Sequence, residues 1–395
     1  MMASLMALNA LAIDTMLPAF PLMQDSLGIT NANDVQFIIS VFLGGMGVGS
    51  IFYGPLSDRF GRRAVMLPAI TGYAVFSLAC GVAPSFEILL AMRFLQGLSG
   101  AAMGVLVAAV IRDRFEGDKM ARHMSMIYMT FMVVPIIAPL VGSLLLTIVD
   151  WQWIFNFFAF LALALALWIW RRLPETLDPA NKQPIQPRAI IRNWGQVLQN
   201  RMAIGYVVAS GVAQGALYGY LNASEQLFSK SFGARDFFPI GFAIIAVGIA
   251  CANFTNSRIV ERFGARRVSH GAILLFITLA VMQLLASIWV PMSLPIFLAL
   301  LTGNMAMIGF LGSNFSAIAM QPFGTIAGSA SSFQQTLRTL LAAGLGAAIG
   351  AQFDGTVTPI AAGFALCGAA SLCLVLVSER GRLFTRPGTT KPVPM

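Results

Sequence analysis

Gly54-Pro55-Leu56-Ser57-Asp58-Arg59-Phe60-Gly61-Arg62-Arg63 decides the reading of this chain, because its second half returns as Glu261-Arg262-Phe263-Gly264-Ala265-Arg266-Arg267. The two copies lie 203 residues apart in a chain of 395. A repeat at half the chain length marks a duplicated unit. Each copy is a charged turn between long apolar stretches. Glycine permits the tight turn, and Asp58 can accept from a helix N-terminus or pair with a neighbouring Arg.

Outward from these turns, apolar segments recur at about 1–21, 34–57, 64–83, 86–111, 120–146, 152–171, 202–224, 237–257, 267–290, 294–318, 325–351 and 357–378. Hydrophobic residues make up 57% of the chain and charged residues 10%, against about 45–50% and about 25% in soluble domains. At roughly 20 residues per spanning helix, twelve spans fill the chain and leave no room for a large soluble domain. Leu173–Asn200, with Pro174, Pro179, Pro184 and Pro187, reads as the linker between two sets of six. The expected division is therefore a six-helix bundle at 1–172, a cytoplasmic linker at 173–200, a second bundle at 201–378 and a tail at 379–395.

Twelve spans put both termini on one side. With that side cytoplasmic, the inner loops and tail hold 21 of the 25 Lys and Arg, and the outer loops hold Lys230 and Arg235 alone. This positive-inside asymmetry fixes the orientation. The net charge of +9 resolves into +13 inside, −4 outside and zero for the intramembrane set Asp14, Arg93, Glu225 and Arg338. A soluble chain this basic would point to nucleic acid. Here the charge is topology, and no nucleic-acid partner is expected.

Cys80, Cys251, Cys367 and Cys373 sit in apolar runs without metal-ligand spacing, so they read as reduced packing residues, and no metal site is expected. The first apolar stretch has no basic residue before it and carries Asp14, which fits a spanning helix and not a cleaved signal. Only 13 residues precede Asp14, about 20 Å of helix. That reads as a chain whose native start lies upstream of Met1.

Six spans per half in the same orientation resemble the parallel repeats of major facilitator transporters. The stretch from Gly54 to Arg63 resembles that superfamily's G-x-L-x-D-R-x-G-R-R signature. The resemblance implies a conformational latch: its Asp and first Arg, Asp58 and Arg59, engage a carboxylate at the end of span 4 and the start of span 11. Asp113 in Ile111-Arg112-Asp113-Arg114 is the matching partner, with Gly54, Gly61 and Arg62 completing the gating set. Arg93-Phe94-Leu95-Gln96-Gly97 looks like the R-F-x-Q-G element of drug:proton antiporters, in which the Arg influences proton transfer. Asp14-Thr15-Met16-Leu17-Pro18-Ala19-Phe20-Pro21, Trp151-Gln152-Trp153 and Leu173-Pro174-Glu175-Thr176 resemble the bicyclomycin and chloramphenicol resistance branch. In span 5, Pro135, Pro139 and Gly142 are similar to the antiporter motif G-P-x-x-G-G, with Ala138 and Ser143 replacing glycines. Kinking prolines and small residues also serve ordinary close packing, so this element alone does not separate antiport from symport.

The intramembrane polar residues carry the candidate chemistry. An Arg in a span costs roughly 2.5–3.5 kcal/mol on insertion scales, so Arg93 either faces a cavity or partner or snorkels to an interface. No histidine lies inside a span, which leaves Asp14 and Glu225 as possible proton carriers. Asp14 either cycles a proton beside Arg93 or caps a helix end near Pro18. Gln334, Gln335 and Arg338 can share one face of span 11, lining the interior or marking a helix end. Glu225 belongs either to the outer vestibule or, with span 7 broken near Gly219, to a cavity with Tyr218 and Asn222.

The expectation is an all-α polytopic protein of the bacterial inner membrane, monomeric and not an enzyme. It exports hydrophobic drug-like molecules in exchange for protons, with no cofactor beyond the coupling proton. No G-x-x-x-x-G-K-[ST] phosphate loop occurs, and no Ser/His or paired-carboxylate arrangement sits at catalytic depth. The alternative is a proton-coupled importer or metabolite facilitator of the same fold, with Arg93 and Arg338 binding an anion.

Overall fold

In the computed structural model, residues 1–115, 117–182, 184–289, 292–323 and 326–384 are described. The expected tail beyond residue 384 lies outside them. The first span is broken: α1 (Met2–Asp14) gives way to a 3-10 turn at Leu17–Ala19 and then α2 (Phe20–Ser26). Pro18 and Pro21 lack the N–H that would continue the α-helical ladder, which explains the break. There follow α3 (Phe37–Phe60), α4 (Arg62–Gly81), α5 (Phe86–Arg114), α6 (Gly117–Leu146) and α7 (Gln152–Arg172). A short helix, α8 (Pro187–Gln199), occupies the linker. The second half holds α9 (Arg201–Gln226), α10 (Phe238–Phe263), α11 (Ala265–Trp289), α12 (Leu294–Met320), α13 (Ala327–Ala351) and α14 (Thr358–Ser378).

Local chemistry sets several boundaries. Ser85 Oγ accepts from Ile88 N–H at the start of α5, and Asn200 Oδ1 accepts from Ala203 N–H at the start of α9. Gly61 at φ 107° and Gly264 at φ 83° make the two repeated turns, where a side chain would strain the backbone.

Helix packing carries the duplication seen in the sequence. In the first half α3 and α4 pack on α5, α4 packs on α7, and α1 packs on α6. In the second, α10 and α11 pack on α12, α11 on α14, and α9 on α13. The halves meet where α3 touches α13 and α6 touches α10, a pair that the repeat exchanges.

Among the described residues, nine helices are long and apolar enough to cross a membrane. The helices α9 and α13 have the length without the hydropathy, whereas the described part of α6, Val133–Leu146, is apolar but shorter. These two carry polar residues of the interior, Asn222 and Glu225 on α9 and Gln334, Gln335 and Arg338 on α13. Neighbouring helices shield them. The outer surface is apolar, with Phe160, Leu144, Leu366 and Trp289 all exposed. A soluble monomer does not expose apolar surface on this scale. Trp153 and Trp289 at one end and Trp168 and Trp170 at the other are exposed as interfacial anchors. The end bearing the two repeated turns is called the basic end below and the opposite one the acidic end.

Candidate functional site

The break in the first span explains Arg93. A helix leaves its last carbonyls without intrahelical donors and presents a partial negative charge there. Arg93 of α5, fully buried, donates from Nη2 to the Ala12 carbonyl at 3.2 Å and from Nε to the Ile38 carbonyl at 3.2 Å. Its Nη1 donates to Gln96 Oε1 at 2.6 Å, and Gln96 Nε2 donates to Ser77 Oγ at 2.6 Å. The guanidinium also lies 4.3 Å from the centre of the Phe42 ring. The expected Asp14–Arg93 pairing is therefore corrected. Arg93 is spent on the carbonyl two residues before Asp14, and no ion pair joins the two among the described residues.

Asp14 is instead buried where the first span meets α9. Tyr218 and Tyr220 lie within Coulombic reach of it, and Tyr218 is within reach of Arg338 as well. Arg338 stands halfway along α13 and donates to Gln335 Oε1 at 2.5 Å, and Gln335 donates to Thr339 Oγ1. Gln334 departs from the expected shared face: it turns to α12, donating to Ser316. Of the predicted residues, Arg338 and Gln335 are thus joined on α13, and Tyr218 of α9 lies within Coulombic reach of both Asp14 and Arg338.

Glycines make these approaches possible. A Cβ on Gly97 would sit 2.0 Å from the Phe42 carbonyl oxygen, and one on Gly45 would sit 2.1 Å from that of Phe94, so α3 and α5 run backbone to backbone. Gly49 meets Leu98 in the same way, making Gly45 and Gly49 a small-x-x-x-small pair. Gly142 in α6 would strike the Thr15 carbonyl oxygen at 2.0 Å, so it admits α6 onto the break in the first span. Pro135 and Pro139 lie within α6, and Ala138 is buried against Ala7 and Ala10 of α1.

At the acidic end five hydrogen bonds among the described residues cross between the halves. Asn33 Nδ2 donates to the carbonyls of Ala351 and Phe353 at 3.0 and 2.8 Å. Gln36 Nε2 donates to Gln226 Oε1 at 3.3 Å, and Gln226 Nε2 to the Ala32 carbonyl at 2.6 Å. Asn222 Nδ2 donates to Ser40 Oγ at 3.0 Å, which places Asn222 in this seam, one turn of α9 beyond Tyr218 on the face toward α13. Glu225 lines a separate cavity of about 170 Å³ with Phe20, Gln24, Val35 and Arg235, and α9 continues unbroken through Gly219. That is the vestibule position.

At the basic end the latch residues meet, with one exchange of roles. Arg62, and not Arg59, holds the carboxylates: its Nη1 lies 2.5 Å from Asp58 Oδ1 and its Nε 2.8 Å from Asp113 Oδ2. Arg62 is buried and Arg59 exposed, because the Gly61 turn aims the residue after it inward. Glu175 and Thr176, which the sequence marked only by resemblance, complete the cluster. Glu175 Oε1 and Oε2 accept from the backbone N–H groups of Arg62 and Arg63 at 2.8 and 3.1 Å, capping α4. Thr176 Oγ1 donates to Asp113 at 3.2 Å. Burial pushes the Glu175 carboxyl up, but hydrogen bonds from the N–H groups of Leu177, Arg62, Thr176 and Arg63 outweigh it and hold the group below its ordinary value. No hydrogen bond or ion pair among the described residues carries the cluster to α13.

The second half repeats the device with other chemistry. Glu379, 204 residues after Glu175, accepts from Arg266 Nε at 2.7 Å and from Tyr206 Oη at 2.9 Å. His270 Nδ1 accepts from the Phe384 N–H at 2.9 Å, so its proton sits on Nε2 and points to Tyr206 Oη. Four free cysteines are present: Cys80 and Cys367 are buried as packing residues, whereas Cys251 and Cys373 are exposed. Among the described residues no group of His, Cys, Asp or Glu could hold a metal ion.

Comparison with known proteins gives the family and the fold. The family profile of the Major Facilitator Superfamily matches residues 2–347. A bicyclomycin resistance protein homolog of Haemophilus influenzae is 28% identical over 88% of this chain and 87% of its own. A chloramphenicol resistance protein of Pseudomonas aeruginosa is 27% identical over 74% of this chain and 69% of its own. The multidrug resistance protein MdtL of Klebsiella pneumoniae is 26% identical over 72% of each chain. The crystal structure of the human organic anion transporter MFSD10 superposes with a TM-score of 0.69, covering 95% of this chain and 97% of that one at 19% identity. That likeness speaks for the fold.

Proposed function

Because the chain belongs to the Major Facilitator Superfamily, a family of membrane transporters and not of enzymes, we propose that it exports hydrophobic drug-like molecules in exchange for protons by alternating access. The observation that carries this reading is Asp14, a carboxyl 4% exposed at the break of the first span, within Coulombic reach of Tyr218 and Tyr220 of the other half. A carboxyl held between two moving halves can take a proton on one side and lose it on the other. Drug resistance is named for relatives along most of the chain, and it supports the drug-like substrate class. With the basic end in the cytoplasm, the seam at the acidic end closes the outer side, which corresponds to an inward-facing state.

Arg93 positions this carboxyl. By holding the Ala12 carbonyl it fixes the helix end from which Asp14 projects, and its donors are not offered to an anionic substrate. That weighs against the importer reading, in which Arg93 would bind an anion. The test is export from proteoliposomes under an imposed proton gradient. Asp14→Asn protein should bind substrate and lose gradient-driven efflux, and undiminished efflux by that variant would sink the assignment of Asp14 as proton carrier.

A further inference from the structure

Glu225 has no part in the Asp14 cluster, yet its setting is unusual. Its side chain is 6% exposed, and Oε1 has no hydrogen-bond donor. The cation facing it, Arg235, stands 3.9 Å away, beyond hydrogen-bond length, with its own side chain 59% exposed and therefore hydrated. Along the same turn the Ser229 hydroxyl stands within reach of the carboxyl as a neutral donor, and Lys230 adds a weaker attraction. From the first half the cavity wall is Phe20, Pro21, Gln24 and Val35, which offers no charge. The neighbouring seam is short of donors too, since Gln36 Oε1 and Asn222 Oδ1 are also buried without one. A carboxylate closed into such a place is poorly compensated, whereas a carboxylic acid brings a donor of its own.

We propose that Glu225 is the proton-operated bolt of the outer seam: a proton taken from the outer medium onto its carboxylate lets the seam close, and returning that proton to outer water opens it. The proposal takes the orientation and alternating access from the reading above and adds a second proton-binding site to it. Opening exposes Glu225 to water and to Arg235, so the ionised form gains on opening what it lacks when closed. Protonation from outside then drives the transporter toward the inward-facing state, the direction an inward flux of protons requires. Phe20 and Pro21 belong to α2, which continues from the break beside Asp14. The first span therefore touches both carboxyls.

The test uses full-length protein in nanodiscs, with Cys251 and Cys373 changed to Ser and spin labels placed by Thr30→Cys and Gln352→Cys on either side of the seam. Inter-label distances are recorded without drug between about pH 5.5 and about pH 8.5. The wild-type carboxyl should give a single short distance at low pH and a growing long-distance population as pH rises. Glu225→Gln should keep the short distance throughout, cutting the open fraction at the upper pH by about fivefold or more. Arg235→Gln should move the transition to higher pH. A pH-independent distance in the parent, or opening of the seam by Glu225→Gln, overturns the proposal. The second outcome would mean that the ionised pair with Arg235 is what holds the seam shut. Asp14→Asn in the same background should retain the pH response; if it abolishes the response while Glu225→Gln retains it, the bolt is Asp14 and not Glu225. The readout needs no flux, so it fails separately from the export reading.

Discussion

Replacing Gly97 with Ala tests the link between helix contact and Arg93. The added Cβ would lie 2.0 Å from the Phe42 carbonyl oxygen and 2.8 Å from its carbon, where real Cβ atoms keep 3.0 Å or more. Both atoms are backbone, so α3 and α5 must part by about 1 Å, and overpacking of this kind costs about 1–3 kcal/mol. Arg93 lies one turn before Gly97, and Ile38 one turn before Phe42. Parting the helices stretches the 3.2 Å bond from Arg93 Nε to the Ile38 carbonyl to about 4 Å. Losing a hydrogen bond from a charged donor adds about 1.5–3 kcal/mol, for a total of about 3–6 kcal/mol. With an unfolding entropy of about 2.1 cal/mol/K per residue, or about 0.8 kcal/mol/K for this length, Tm should fall by about 4–7 °C. A thiol-reactive dye follows the melt through buried Cys80 and Cys367 once the exposed Cys251 and Cys373 are changed to Ser. Gly104→Ala on the same helix is the control, because no atom lies within 4 Å of the added Cβ. It should be neutral or slightly stabilising through helix propensity. A Gly97→Ala protein melting within about 1 °C of its parent would refute the backbone contact and the reasoning built on it.

Further outcomes follow from the basic end. Arg62→Gln should destabilise by about 1.5–3 kcal/mol and raise hydrogen exchange at residues 57–63, because Asp113, left with the Thr176 hydroxyl, and the half-exposed Asp58 lose their shared cation. Arg59→Gln, exposed, should stay within about 0.5 kcal/mol of the parent. Glu175 binds its proton more weakly folded than unfolded, so its contribution is present above the unfolded pKa, about 4.3, and is lost as pH falls through the lower folded value. Exchange at the Arg62 and Arg63 amides should rise over that acid window in the parent, and Glu175→Gln should flatten the profile. His270 should show the Nε2–H tautomer by ring nitrogen NMR, an assignment eased by a chain with two histidines. His270→Phe should speed exchange of the Phe384 amide about fivefold, the value of one hydrogen bond. An Nδ1–H tautomer would contradict the geometry.

How much was legible in advance depends on whether a signal is local in sequence. Hydropathy and the half-length repeat gave the helices, and charge placement gave an expected orientation. The latch set was legible from its motif, but the choice of Arg62 over Arg59 was not. It depends on which way the chain leaves Gly61, a dihedral that composition does not state. Asp14 and Arg93 were both picked out as costly intramembrane charges, and pairing opposite charges was the simple inference. It failed because a broken helix offers carbonyls that compete for the guanidinium, and the break's position relative to α5 is a tertiary fact. Glu175 carried a usable signal, since an acidic residue recurs 204 positions later at Glu379. The seam residues Asn33, Gln36, Ser40 and Gln226 carried none, being ordinary amides and hydroxyls near helix ends.

The sequence by itself determined that this chain crosses a membrane many times, that it arose by doubling, and that a handful of polar residues sit where lipid would forbid them. Those properties follow from transfer free energies and repeat spacing, which each segment carries independently of its neighbours. Only the tertiary structure decided the company of each polar group: Arg93 with backbone, Asp14 buried within Coulombic reach of the α9 tyrosines, Arg62 with two carboxylates and Glu225 with a distant, hydrated Arg235. Inside a membrane protein the partner of a charge is set by angstrom-scale helix crossings, and glycines at Gly45, Gly97 and Gly142 set those crossings by what they leave out.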